Sequence, residues 1–430
     1  MIRASIHESV ASRVFSVRRY RVMGMCFLAA FICYIDRVNI SVAILAMHEH
    51  FGWSTATKGW VLSSFFVGYT LFQIPGGWLA NRFGGKWVLG AAVLWWSLFT
   101  LLTPAAAFAS LPLLIAARIA MGLGEGTMFP AAYGLFRHWI PTFERSRAVA
   151  LLLSGVPLGT LFALTATGKL VTRYGWASVF YVFGGVGLLW AAMWFSLIPS
   201  HPHLDSKLSL PERTLLREHC ADLRERTTVP WGRLLSQPAV WALIFNHFCS
   251  NWGLYLLLAW LPSYFHDTRG LSITSAALFA AGPWLTMFMV INLGAWRADR
   301  WIKRGMDLTR VRKLMQIAGL LGSATCFWCV QYATTTPTAL GLMCGVMGSL
   351  ALTWSGFGPN HMDIAPRYAD VLMGVTNTVA SLPGVIGVAL TGWLVQTTGT
   401  YAAAFTLAAA IQVAGAIVWL IFSTARPVVD

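Results

Sequence analysis

The sequence predicts an all-α membrane protein of twelve transmembrane helices arranged as two pseudo-symmetric bundles of six. Three observations carry that expectation. Of the 430 residues, 57% are hydrophobic and only 11% charged, whereas soluble domains carry about 25% charged residues. Apolar stretches of 18 residues or more follow one another almost without interruption, and each can cross about 30 Å of hydrocarbon as a helix. One long polar connection, residues 200–236, then divides these stretches six and six.

Taken in order, the spans are placed at 22–47, 58–80, 87–108, 111–136, 146–169 and 177–198, then 239–265, 273–296, 312–333, 337–359, 371–396 and 401–423. The division is a first bundle over 1–199, a cytoplasmic linker over 200–236 and a second bundle over 237–430. The linker holds six basic and five acidic residues, as in PERTLLREHCADLRER, and reads as a mixed-charge amphipathic helix on the membrane surface. Many of the 21 Trp fall near span ends, as in an interfacial aromatic belt. Arginines precede the first span without a convincing cleavage site, so it reads as a retained helix rather than a removed leader.

The net charge of +15 does not point to nucleic acid, because the basic residues sit in the short connections instead of on one soluble face. With the N-terminus inside, the cytoplasmic segments hold 25 Lys and Arg and the opposite side only four, Lys58, Lys169, Arg173 and Arg269. That asymmetry fixes the orientation, both termini cytoplasmic, and adds contact with anionic lipid. Six of the seven Cys fall in apolar spans, and Cys326 and Cys329 form one isolated CxxC. A lone pair without nearby His is poor support for metal or redox chemistry, so no metal or cofactor is expected.

An echo links the halves. GGWLANRFGGK (76–86) follows the second span and GAWRADRWIKRG (294–305) follows the eighth. Each sets glycine at a helix end, then Asn81-Arg82 or Asp299-Arg300, then more positive charge. Asn81 and Asp299 are placed to cap or pair nearby, and matched positions in two halves are the trace of a pseudo-symmetric carrier.

The deep ionisable residues are few. Of 16 acidic residues, 13 lie in tails, loops or span ends. Asp36 and Arg37 stand in the first span, Arg118 and Glu125 in the fourth, with Asp363 near the end of the tenth. An ionised side chain at mid-membrane costs about 2.5–3.5 kcal/mol on insertion scales, so the quartet has a reason to be there. Arg118 and Glu125 share one helix face about 10.5 Å apart. Asp36 and Arg37 point about 100° apart, while Tyr34 and Arg37 share a face. Gly122, Gly124 and Gly126 admit a neighbouring helix closely. One reading is a set of buried ion pairs holding the first and fourth spans together. The other is a wet central cavity, where an arginine fork grips two oxygens of an anion and a poorly solvated carboxyl exchanges a proton near neutral pH.

At these residues the chain resembles the anion:cation symporter branch of the major facilitator superfamily. That branch includes bacterial sugar-acid transporters and animal vesicular glutamate, sialic acid and phosphate carriers. The matching stretches are DRVNISVAILAM, SSFFVGYTLFQIPGGWLANRFGGK, RIAMGLGEGTMFPA, PTFERSRAVALLLSG, RYGWASVFYVFGG and NHMDIAPRYADVLMGVTNTVASLPG, spread over residues 36–384. The resemblance implies alternating access with substrate held between the halves. It implies Arg37 and Arg118 near the anion, Asp36 and Glu125 as proton carriers, and Tyr34, Tyr69, Gln73 and Asn377 along the cavity. It implies gating or turn roles for Asn81, Arg82, Asp299, Arg300, His361 and Asp363. Leu62 stands where vesicular glutamate carriers have a histidine, and Ser250 or its neighbours where they have an arginine, which favours bacterial organic acids over glutamate. His247 is the lone histidine of the seventh span.

The function expected is proton-coupled symport of a small organic anion such as a sugar acid, by a monomer in a bacterial inner membrane. A proton-coupled exporter of a carboxylate-bearing metabolite, siderophore or drug fits the same residues. An enzyme is not expected, since no nucleophile with an adjacent base and no soluble catalytic domain is visible. A non-transporting membrane receptor has no feature of its own in its favour.

Overall fold

The computed structural model describes residues 18–141, 144–220, 229–366 and 368–429. Arg3 and Arg13 of the basic tail, Arg224 and Arg226 of the linker, and Arg367 lie outside the described residues. The chain is helical throughout, with no strand among the described residues. The first half holds α1 (Arg18–Phe51), α2 (Thr55–Phe83), α3 (Gly85–Ala109), α4 (Leu111–Glu125), α5 (Met128–Trp139), α6 (Arg145–Tyr174) and α7 (Ala177–Leu197). Two short linker helices follow, α8 (Leu210–His219) and α9 (Trp231–Leu235). The second half holds α10 (Pro238–Arg269), α11 (Ile273–Lys303), α12 (Leu308–Cys329), α13 (Thr336–Ile364), α14 (Ala369–Thr398) and α15 (Ala402–Phe422).

Eleven of the twelve expected spans are long and apolar enough to cross a membrane, with α4 and α5 together forming one of them. The twelfth is α2, a 29-residue helix whose Gln73, Tyr69, two serines and glycines lower its hydropathy. The polar residues of α2 face protein: Ser63, Ser64, Tyr69 and Gln73 are buried. Most helices overrun their predicted spans at one or both ends, because hydrophobicity marks the hydrocarbon and the hydrogen-bonded ladder runs on into the interface. Their starts follow from side chains that take up orphan amide hydrogens. Ser54 accepts from the Thr57 N–H at 3.1 Å and Asp307 from that of Arg310 at 3.0 Å.

The packing of the first half is repeated in the second. In the first, α1 lies on α6, α2 on α4, α3 on α4 and on α7; in the second, α10 lies on α14, α11 on α13, α12 on α13 and on α15. Across the middle, α2 meets α14 and α6 meets α11. Each of these contacts is its partner under exchange of the halves.

The linker is tied to the first half. Glu212 of α8 accepts from the N–H groups of Arg18 and Arg19, at 3.2 and 3.1 Å, and so caps the first turn of α1 from 194 and 193 residues away. Arg19 also pairs with Glu144 at 2.8 Å, and Arg18 with Asp205 at 3.4 Å. A helix, α8, stands within the expected linker and fixes the Arg18 end of α1.

One group of polar contacts between the halves gathers at the Thr55 end of α2, the end that the sequence leads one to expect outside. Lys58, 1% exposed, pairs with Asp267 at 3.4 Å and lies over the Trp260 ring. Tyr401 donates to the same carboxylate at 2.9 Å, and the Ala56 N–H donates to Gln396 at 2.8 Å. Gly59 lies against Gly392, where a Cβ on either would crowd the other backbone. This end is closed.

Candidate functional site

The crossing of α2 and α4 sets the geometry of the site. Gly68 faces the backbone of Ile119 and Gly122 faces that of Phe65, so closely that a Cβ on either would collide. Gly126 lies against Tyr69, and Gly124 turns instead to Trp95 and Ala92 of α3. The predicted close approach is therefore real, and it draws Phe65 and Tyr69 over the end of α4. The α-helix is interrupted immediately after Glu125, at Gly126 and Thr127, so the predicted span 111–136 is two helices.

Against that end lies Arg37 of α1. Its Nε and Nη2 donate to a single carboxylate oxygen of Glu125, at 3.0 and 2.9 Å. Cys33, one turn before Arg37, donates its thiol to the same oxygen at 3.2 Å. The remaining nitrogen, Nη1, donates to the Tyr34 hydroxyl at 3.3 Å. The guanidinium is boxed by aromatic faces, 4.6 Å from Tyr34, 5.1 Å from Phe65 and 4.5 Å from Tyr69. Weak hydration suits arginine to such a place.

Asp36 and Arg118 form the second, looser pair. Asp36 is fully buried beside Trp96, with Arg118 and Glu125 as its charged neighbours. Neither of its oxygens makes a hydrogen bond of ordinary geometry to a described residue. Arg118 lies under the Phe65 ring at 5.5 Å and meets the Met121 sulfur at 3.0 Å. The quartet thus splits into one tight ion pair between α1 and α4 and one carboxyl and one guanidinium that interact at longer range.

Arg37 and Arg118 both line a central void, with Ser41, Leu62, Leu258 and Ala259 among its walls. Its volume is about 10 Å³, room for about one water. The expected water-filled chamber is contracted to that. From the second half the lining is apolar. Ser250 is not in it; its hydroxyl accepts from Gln316 at 3.3 Å, and Gln316 also donates to Asn246 at 3.1 Å. A larger recess of about 560 Å³ between α3 and α4 is walled by alanine, leucine and phenylalanine alone, and offers an anion nothing polar.

The other expected residues fall in three places. Tyr34 and Tyr69 belong to the arginine box. Gln73, one turn beyond Tyr69, accepts from the Asn377 amide at 2.6 Å and so joins the halves instead of lining the void. Asp363 pairs with Arg312 at 2.8 Å, while His361 meets Thr376 at 2.8 Å. Asn81 and Asp299 are exposed, and neither is seen to cap or pair with a described residue. It is the arginines of the echo that engage, Arg82 over Trp78 and Arg300 over Trp296, each at 5.1 Å.

Sequence reasoning missed Cys33, Phe65 and Tyr255. Tyr255 of α10 is buried against Phe66, ring to ring at 4.7 Å, and brings a phenol of the second half toward Arg37, Tyr34 and Tyr69. Cys33 was in reach, since it precedes Arg37 by one turn on the same face.

A buried arginine–glutamate pair beside a void between two repeated helix bundles is a carrier's geometry, and comparison decides the family. Residues 26–388 match the Major Facilitator Superfamily. The chain belongs to that superfamily. It is 44% identical over 413 residues to the probable anion transporter 4, chloroplastic, of Oryza sativa subsp. japonica, covering 96% of this chain and 70% of that protein. It is 43% identical over 415 residues to the ascorbate transporter, chloroplastic, of Arabidopsis thaliana, covering 96% and 76%. The solved D-xylose–proton symporter shares the fold, with a TM-score of 0.75, 17% identity and coverage of 96% and 99%. As a member of this superfamily the chain is a multi-pass membrane transporter and not an enzyme, and the resemblance to the anion:cation symporter branch holds.

Proposed function

We propose that this chain carries a small organic anion by proton-coupled symport, and that the Arg37–Glu125 pair is where anion and proton meet. The observation behind this reading is that both guanidinium hydrogens aimed at Glu125 land on one oxygen, while Arg37 itself lines the central void. A proton on Glu125 removes the charge that holds Arg37. The freed fork then offers two parallel N–H groups to a carboxylate, with Arg118 as the second cation in the same wall. Proton and anion together leave the site as neutral as the empty ion pair was. Two neutral forms can be enclosed while the halves 1–199 and 237–430 rock; a half-loaded form carries a bare charge and cannot. Asp36 stands to Arg118 as Glu125 does to Arg37: ionised it balances that guanidinium, and a proton on it, in place of the one on Glu125, frees Arg118 for the anion. The names of the relatives support an anion, and the hydrophobic and aromatic walls limit it to a small one.

The two halves of a single chain line the void, which supports a monomer as the working unit. The Lys58–Asp267 contact closes the outer end while the site is contracted. The bacterial cytoplasmic membrane expected from sequence finds no support in these relatives, whose names are chloroplastic; the inside-positive orientation does not depend on it. One relative of Arabidopsis thaliana is named a sodium-dependent phosphate transport protein, so the coupling ion is part of the test.

In proteoliposomes, Glu125→Gln is expected to abolish accumulation driven by a pH gradient while leaving exchange of labelled anion for unlabelled. Accumulation driven by a sodium gradient alone, or proton-driven accumulation surviving in Glu125→Gln, would sink the coupling assignment. Ascorbate, sugar acids and phosphate serve as the first candidate anions.

A further inference from the structure

The second half contains a buried chain of hydrogen bonds that the anion site does not use. His247 of α10 places Nδ1 3.2 Å from the Thr376 hydroxyl oxygen of α14. His361 of α13 places Nε2 2.8 Å from the same oxygen and Nδ1 2.9 Å from the Gly358 carbonyl. The imidazoles are 6.2 Å apart at a steep angle, and Phe357 packs on His247 at 4.6 Å. His247 is 7% exposed, His361 1% and Thr376 0%.

The tautomers follow from one fixed point. A carbonyl only accepts, so His361 carries hydrogen on Nδ1. In a neutral ring Nε2 is then a bare acceptor, and the Thr376 hydroxyl donates to it. The hydroxyl oxygen is left to accept from His247 Nδ1–H, which makes His247 Nε2 the bare end of the chain. Every polar atom between the rings is matched.

The same three side chains also accommodate one more proton without moving a heavy atom. The proton binds His247 Nε2. The hydrogen on His247 Nδ1 passes to the Thr376 oxygen, and the hydrogen that oxygen already held passes to His361 Nε2. His361 is then the imidazolium, donating to Gly358 and to Thr376. The Thr376 hydroxyl has reversed and donates to the bare Nδ1 of His247. One proton has entered, one positive charge has appeared, and every bond is still made. The Met373 carbonyl, 3.1 Å from the Thr376 oxygen, gives the hydroxyl a third resting direction.

We infer that His247, Thr376 and His361 are a proton-binding site of the second half, independent of the quartet in the first. The surroundings leave the task to the pair. On α10 the flanking Asn246 and Asn251 are spent on the carbonyls of Ala242 and Ala380. On α13 Asp363 is neutralised by Arg312 of α12. On α14 the next residue is Asn377, which reaches Gln73 of α2 at 2.6 Å. The hydroxyl that reverses is therefore adjacent in sequence to a contact that joins the halves, so proton occupancy here is read where the halves meet.

The test reads protons instead of transport. Full-length protein with ¹⁵N-labelled histidine is placed in lipid nanodiscs, the two rings are assigned by their loss in His247→Gln and His361→Gln, and pH is stepped between about 5 and 8, where histidine charge changes. The expected result is that neutral His361 shows hydrogen on Nδ1 and that both rings report one shared protonation step. Thr376→Val, which removes the hydroxyl, is expected to uncouple the two signals, and Thr376→Ser to preserve the shared step. Rings that stay unchanged across the range, or a Thr376→Val titration identical to wild type, overturn the site. Because no anion takes part, either result leaves the Glu125 test standing on its own.

Discussion

The two halves repeat each other's helix packing, yet their buried polar residues obey different chemistry. Around the central void the first half encloses two acids and two bases, Asp36, Glu125, Arg37 and Arg118, all at most 4% exposed. At the corresponding depth the second half encloses amides, hydroxyls and imidazoles, with Asn246, Ser250 and Gln316 forming one neutral knot. Fold symmetry therefore does not impose chemical symmetry. Backbone packing needs small and apolar residues at the crossings, which both halves supply. Charge is needed only where ions bind, and one wall suffices. On the proposed function the first half is the binding wall and the second half a mostly neutral cover, whose contribution to the void is Leu258 and Ala259.

The largest expected effect tests that division directly. Arg37→Ala leaves Glu125 buried with its main partner gone. Removing one member of a buried ion pair costs about 3–5 kcal/mol. The counterpart, Gln316→Leu, strands Asn246 and Ser250 and costs about 1–3 kcal/mol, the price of an unmet neutral polar group. Thermal unfolding in detergent should rank the two that way. Adding Glu125→Leu to an Arg37→Leu variant is expected to restore stability, since hydrophobic replacement of a whole buried pair is often neutral, and to leave transport dead. If the double variant transports, the charges are scaffold and the binding wall is elsewhere.

This contrast was only half legible in the sequence. Composition and span length revealed the helices, because the bilayer demands apolar length whatever the fold. The quartet was legible too, since an intramembrane charge is conspicuous. Its pairing was not. Asp36 and Arg37 are neighbours, and helix geometry separates their directions without saying which direction faces α4. That choice is made by the Gly68–Gly122 crossing and by the rotation of α1 against it. The network of the second half was hidden for another reason: serine, threonine and glutamine are unremarkable in spans, and His247 and His361, though conspicuous one by one, carry no sequence mark of each other. His247, Thr376 and His361 lie 129 and 15 residues apart in pairs, and only the meeting of three helices joins them. Of the two expected departures, Leu62 lines the void and Ser250 does not.

A smaller effect concerns the outer closure, where the halves do share charge. Lys58 comes from the first and Asp267 from the second, whose side chain is 37% exposed. Water reaches the carboxylate, so the pair adds little to stability, on the order of 1 kcal/mol. Its weight falls instead on the balance between closed and open outer ends, where about 1.4 kcal/mol is a tenfold change in population. Lys58→Met and Asp267→Asn are each expected to raise the labelling rate of a Leu62→Cys probe by a charged thiol reagent added outside. Charge reversal, Lys58→Asp with Asp267→Lys, should return it toward the wild-type rate. Unchanged labelling in both single variants would remove charge from the closure and leave it to the Gly59–Gly392 contact.

The smallest effect falls where the halves agree. Trp78 under Arg82 and Trp296 under Arg300 have the same i, i+4 spacing and the same 5.1 Å separation. All four side chains are exposed, so each cation–π contact contributes about 0.5–1 kcal/mol. If the echo is a shared structural device of the cytoplasmic surface, Trp78→Leu and Trp296→Leu will lower the thermal midpoint by equal small amounts, and the double variant by their sum, because the sites are in different bundles and share no partner. Unequal losses in transport with equal losses in stability would show that one copy touches the opposite half during the cycle. In that case the chemical division between the halves, charged wall and neutral cover, extends to the surface on which they close.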